Sequence, residues 1–165
     1  MLATATVTIS LMVMSVAPPT QPSQSRRPSF AGHWVIAPAS AALSQGGGQI
    51  LPICRLECVI TQDDDLLIVS TPGGQAVRSY HLSGSPVKST SEVLGRTVET
   101  TDTARWEGSM LVLIHTTSTG APAKATRVET RLRLSLENGV LVIDRTITQP
   151  RGAEERARFE YQPKK

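Results

Sequence analysis

From Phe30 onward the chain alternates apolar and polar side chains with a period of two, and no helical stripe of useful length interrupts it. Val128, Thr130, Leu132, Leu134 and Leu136 alternate with Arg127, Glu129, Arg131, Arg133 and Ser135, which places aliphatic groups on one face of a strand and charges on the other. Ala157, Phe159 and Tyr161 alternate with Arg156, Arg158 and Glu160 in the same way. In three hairpins a polar or glycine turn runs directly into an aliphatic segment: Asp63-Asp64-Asp65 before Leu66 to Val69, Glu107-Gly108-Ser109 before Met110 to Ile114, and Glu137-Asn138-Gly139 before Val140 to Ile143. Asn138-Gly139 is the most specific, because a two-residue turn with both residues at positive φ selects that pair.

The pattern predicts strands over Gly32 to Ile36, Arg55 to Gln62, Leu66 to Ser70, Ala76 to Leu82, Val87 to Val93, Thr97 to Trp106, Met110 to Thr117, Thr126 to Leu136, Val140 to Thr148 and Glu155 to Gln162. Gly and Pro turns at Thr71 to Gly74, Ser83 to Pro86 and Pro150 to Gly152 separate several of them, and Ala37 to Pro52, with Gly46 to Gly48, reads as the one extended loop. Turn spacing is uneven, so this is no repeat protein. An all-β meander of about eight to ten antiparallel strands with short connections either exposes its edges or closes on itself, and an up-and-down barrel is the expected closure. A two-sheet sandwich is the alternative.

The first 25 residues carry no charged side chain, and Thr6 to Ala17 has the length of a signal-peptide core rather than of a membrane span. Ser15-Val16-Ala17 offers small residues for cleavage, although Pro18 follows and no Lys or Arg precedes. Residues 1–17 are therefore read as a signal peptide or an N-terminal apolar anchor, residues 18–29, rich in Pro, Ser and Gln, as a disordered linker, and residues 30–165 as a single domain. The expected location is periplasmic or extracellular.

A formal net charge of +3 hides a concentration of Arg and Lys beyond Ala123, including Lys124, Arg131, Arg133, Arg145, Arg156 and Arg158. Glu129, Glu137, Asp144, Glu154, Glu155 and Glu160 interleave with them, as on an ordinary solvated sheet face. No nucleic-acid partner is expected; an envelope or extracellular partner fits the basic balance.

At the first strand, Phe30-Ala31-Gly32-His33-Trp34 resembles the G-x-W entry of the lipocalins. The resemblance implies that Gly32 permits a tight chain entry and that Trp34 plugs the closed end of a barrel beneath an Arg of the final strands, for which Arg156 and Arg158 are the candidates. Thr101-Asp102 matches the start of that family's T-D-Y segment, with Thr103 in the Tyr position. Over Phe30 to Tyr161, phrases such as Ile60-Thr61-Gln62-Asp63, Tyr80-His81-Leu82-Ser83-Gly84 and Arg105-Trp106-Glu107-Gly108 resemble secreted bacterial lipocalin-like proteins of the calycin type, which implies a fold and no activity.

Cys54 and Cys58 are the only cysteines. On a straight strand four residues span about 13 Å, too far for a disulfide, so a bridge requires the chain to turn before the strand begins; free buried thiols are the alternative. Two thiols supply too few ligands for zinc. Asp63, Asp64 and Asp65 read as a turn rather than a calcium loop. His33, His81 and His115 have no carboxylate or nucleophile at fixed spacing, and His33 and His115 are placed on the face opposite their apolar neighbours. There is no nucleophile elbow, phosphate loop or dinucleotide fingerprint, so neither an enzyme nor a cofactor is expected. Trp34, Tyr80 and Trp106 stand out because aromatics make up only 4% of the chain, and they are the candidate lining of a ligand cup. The expected function is an exported lipocalin-like binding module for a small apolar molecule. The alternative is a solid-cored interaction or envelope-associated protein, with a barrel enzyme ranked below both.

Overall fold

The computed structural model describes residues 27–45, 53–54, 56–120 and 125–165. The apolar segment 1–17, most of the 18–29 linker, the Gly46 to Gly48 run, Arg55 and Lys124 lie outside the described residues. Among the described residues ten strands follow in order: β1 Gly32–Ile36, β2 Glu57–Gln62, β3 Leu66–Ser70, β4 Ala76–His81, β5 Val87–Val93, β6 Arg96–Glu107, β7 Met110–Thr119, β8 Thr126–Glu137, β9 Val140–Thr148 and β10 Glu154–Pro163. They form one antiparallel sheet in the order β4-β3-β2-β1-β10-β9-β8-β7-β6-β5. All neighbours are consecutive in the chain except β1 and β10, whose pairing (Ile36 opposite Tyr161) wraps the sheet into a nearly closed barrel. The edges, β4 and β5, are also consecutive, so the opening in the wall lies in mid-chain. The sandwich alternative is set aside.

Period-two alternation fixes which residues enter the barrel. Leu111 and Leu113, Leu132 and Leu134, Leu141 and Ile143, and Phe159 and Tyr161 are buried and meet across the β7 to β10 ladders. With Trp34, Ile60, Leu67, Tyr80 and Leu82 they belong to one continuous core. At about 1.5–3 kcal/mol per buried large side chain, this core supplies the main drive for folding.

Turn chemistry follows the sequence closely. Asn138 and Gly139 have φ of 53° and 81°, the paired positive values of a type I′ hairpin. Asp63 accepts backbone N–H bonds from Asp65 and Leu66 at 2.9 and 2.7 Å; these bonds hold its carboxyl below the usual range and make the Asp triplet a turn. The Leu94-Gly95 turn between β5 and β6 also has two positive values, 51° and 71°, and carries a leucine where asparagine would be ordinary.

Part of the expected long loop is a short helix, α1, Pro38–Gln45. Proline at its first position has the right φ and needs no N–H partner. Ser40 Oγ accepts the Glu160 N–H at 3.0 Å and Glu160 O accepts the Ala37 N–H at 2.8 Å, so the helix closes the β10 edge where β1 ends. The chain does turn before β2: Cys54 and Cys58 form a disulfide with Cα atoms 5.4 Å apart, and the Tyr161 hydroxyl donates to Cys54 O at 3.2 Å.

Candidate functional site

Two ends of the barrel interior differ in chemistry. At the closed end Phe30 is fully buried and stacks on Trp106, with ring centroids 5.9 Å apart. Trp34 is buried beside it and donates its indole N–H to Phe30 O at 2.9 Å. Gly32 lies against that indole: a Cβ there would come within 3.2 Å of Nε1 and 3.3 Å of Cε2. The tight entry implied by the G-x-W resemblance is thus a packing contact.

The cation at this end is not the expected one. Arg27 lies 5.3 Å from the centroid of the Trp106 ring. Arg156 and Arg158 have even-numbered positions on β10 and so point outward, where Arg156 pairs with Glu154 at 2.7 Å and Arg158 with Glu137 at 2.8 Å. Neither covers Trp34, because side chains alternate and Ala157, Phe159 and Tyr161 hold the inward positions. With Arg131 and Arg133 they line an outer depression of about 530 Å³ in which Glu129, Asp144 and Glu154 are interleaved. This is the solvated, charge-paired face expected from composition. Arg145 is the exception to that expectation: it sits inward on β9, 4% exposed, 3.4 Å from Glu155 and over the Phe159 ring.

The opposite end is polar. Asp102 on β6 and His115 on β7 are register partners that both face inward. His115 Nδ1 lies 2.7 Å from Asp102 Oδ1, and the Thr117 hydroxyl lies 3.0 Å from His115 Nε2. Arg78, reaching in from edge strand β4, bonds Asp102 Oδ2 at 3.0 Å. Its Nη1 and Nη2 also lie 2.9 and 3.3 Å from the two ring nitrogens. The carboxylate can only accept, so Nδ1 carries the proton it shares with Asp102 and cannot also accept from Arg78. The guanidinium is therefore laid against the imidazole rather than donating to Nδ1.

Asp102 and His115 side chains are each 11% exposed and that of Arg78 22%. Thr100, Thr117 and Val128 on the same inward rows are half-buried, so this end is in reach of solvent. Next along β4 on the inward face is Tyr80, fully buried, whose hydroxyl has no hydrogen-bond partner among the described residues. Burial first, and then the Asp102 carboxylate, push its ionisation far upward, so the hydroxyl stays protonated and is a donor.

Of the residues singled out as cup lining, Trp34 and Trp106 gather at the closed end around Phe30, and Tyr80 alone sits beneath the polar cluster. Arg78 and Thr117 were not picked out from the sequence, Asp102 and His115 were noted there without being joined into a site, and His115 faces inward rather than away from Leu111 and Leu113. The signal was present in the alternation Leu111-Leu113-His115 and Asp102-Ala104-Trp106. Only the β6–β7 register shows that the two polar ends meet. His33, by contrast, does face outward, with Nε2 2.5 Å from Glu57 Oε1.

A carboxylate, imidazole and hydroxyl in hydrogen-bonded series can hold a polar ligand or pass a proton. Among the described residues no group of three or more His, Cys, Asp or Glu side chains is placed to hold a metal ion. No helix of the described residues is long and apolar enough to cross a membrane. Compared with known proteins, the chain matches no family model, no curated protein and no solved structure.

Proposed function

We propose that this chain is an exported lipocalin-like binding module that takes up a small molecule bearing a carboxylate or carbonyl oxygen at the polar end of its barrel. The observation that carries this reading is the Tyr80 hydroxyl, a buried donor with no acceptor among the described residues, set below Arg78, Asp102 and His115. A buried polar group without a partner is costly, and a ligand oxygen accepting from Tyr80 would relieve that cost. The ligand is polar rather than apolar because Phe30, Trp34 and Trp106 fill the closed end against one another. The disulfide is compatible with an oxidising compartment.

A second reading has its own observation. Arg78 joins edge strand β4 to β6 across the opening in the wall, so the cluster also serves as a rivet for a solid-cored interaction protein. Native mass spectrometry of the chain purified from its source, set against its denatured mass, separates the two. A stoichiometric small molecule that is lost in Tyr80→Phe supports the binding module. A bare native mass, with Tyr80→Phe unchanged in every respect except stability, supports the rivet.

A further inference from the structure

β5 is an edge of the sheet, and every residue from Lys88 to Val93 is exposed. Such an edge offers unpaired backbone N–H and C=O groups to any second strand. Beyond it, Leu94 is 98% exposed and held at φ 51°, a left-handed conformation that leucine rarely adopts.

The turn determines which backbone groups are unpaired. A two-residue hairpin closes on a hydrogen-bonded pair, here Val93 and Arg96. Val93, Ser91, Ser89 and Val87 therefore direct their N–H and C=O groups toward β6. Lys88, Thr90 and Glu92 direct theirs away from β6, on the free side of the edge strand.

The sequence of β5, Val-Lys-Ser-Thr-Ser-Glu-Val, is self-complementary about Thr90. In an antiparallel pair of two such strands centred on Thr90, Val87 faces Val93, Ser89 faces Ser91, and Lys88 faces Glu92 of the second copy. That register makes Lys88, Thr90 and Glu92 the hydrogen-bonded positions, which are the three whose backbone groups β6 leaves unused. It gives about six new backbone hydrogen bonds and two cross-strand Lys–Glu pairs on one face. On the other face two Val–Val pairs fall at the closer, non-hydrogen-bonded positions. The next step places Leu94 opposite Pro86.

We propose that β5 is a self-association edge: two copies of this chain pair antiparallel through Val87–Val93, continuing the sheet from one barrel into the next. The interface is isologous, as a two-fold dimer requires. It is small, so association depends on concentration.

Sedimentation velocity of the full chain, at neutral pH over about 1 to 500 µM, tests this directly. A monomer–dimer equilibrium is expected. K88E and E92K each set like charges opposite one another and weaken dimerisation about tenfold or more, while an equimolar mixture of the two restores it, because K88E facing E92K has only opposite charges across the seam. A chain that stays monomeric throughout, single variants that dimerise as tightly as the parent, or a mixture no tighter than its components would each overturn the proposal. Amide exchange on the unaltered chain gives a readout independent of any variant. Lys88, Thr90 and Glu92 amides should gain protection as concentration rises, whereas those of Ser89, Ser91 and Val93 are protected throughout; no change at the first three refutes the pairing.

Discussion

Replacing Tyr80 by phenylalanine removes one oxygen from the fully buried interior and leaves the ring packed on the core. That oxygen has no hydrogen-bond partner among the described residues, so in the ligand-free protein it has lost water without gaining a substitute. Protein mutational data put this penalty at about 1–3 kcal/mol. The space vacated is one atom in size, and at about 24 cal/mol per Å³ it takes back only a few tenths of a kcal/mol. Tyr80→Phe should therefore stabilise the ligand-free chain by about 1–2 kcal/mol, which for a protein of this size raises Tm by about 2–8 °C. Thermal unfolding followed by circular dichroism, with urea titration as a second probe, measures it. The ligand-bound protein should respond in the opposite sense, since the variant loses the bond that the ligand makes. If Tyr80→Phe lowers the stability of the ligand-free chain by 1 kcal/mol or more, the hydroxyl is already satisfied there and the reasoning that leads from it to a ligand fails.

Trp34→Ala should cost about 3–5 kcal/mol, because it empties the closed end beside Phe30 and abandons the bond to Phe30 O; a Tm near that of the parent would refute the plug. Intact-mass analysis under denaturing conditions should show no alkylation of Cys54 and Cys58 without reductant, and, for so short a loop, their joint replacement by alanine should cost roughly 2 kcal/mol in urea unfolding. Leu94→Asn should stabilise the β5–β6 hairpin by up to about 1 kcal/mol, since asparagine tolerates positive φ where leucine does not, and a loss of stability would show that Leu94 is held by contacts of its own. Glu57 is held below its ordinary 4.5 by Lys164 first and by His33, so its contribution to stability is complete above pH 4.5 and fades as pH falls through the lowered value. The difference in Tm between parent and Glu57→Gln should shrink over that acid range and stay level above it.

The strands were legible because one face of nearly every one is apolar, and alternation both marks a strand and assigns its faces. Gly32–Ile36, Leu66–Ser70, Val87–Val93 and Val140–Thr148 fall where the pattern puts them. The helix at Pro38–Gln45 was not, because its short Ala- and Ser-rich turns carry no apolar stripe and it is held from outside by the β10 backbone through Ser40 and Ala37. The polar cluster illustrates another limit. Asp102 and His115 lie on the consecutive strands β6 and β7, and Arg78 lies on β4, 24 residues before Asp102; alternation gives each a face but no neighbour, and register supplies the neighbour. Arg145 shows the converse, since its own place in Leu141-Ile143-Arg145-Ile147 marked it as inward, and composition alone grouped it with the surface arginines.

The position of the opening in the wall has a kinetic consequence. Each ladder except one joins strands that follow one another directly, so β1–β4 and β5–β10 can each assemble by local zippering. The β1–β10 ladder alone pairs residues about 125 positions apart, a contact that on an otherwise unfolded chain would cost roughly 4 kcal/mol of loop-closure entropy and that becomes cheap only after the local ladders have formed. That ladder is thus expected to form after the rate-limiting barrier, and substitutions at Val35 or Gln162 should hasten unfolding while leaving the refolding rate nearly unchanged. During synthesis the first four strands must wait, with β1 unpaired on one side, until the last strand has been made.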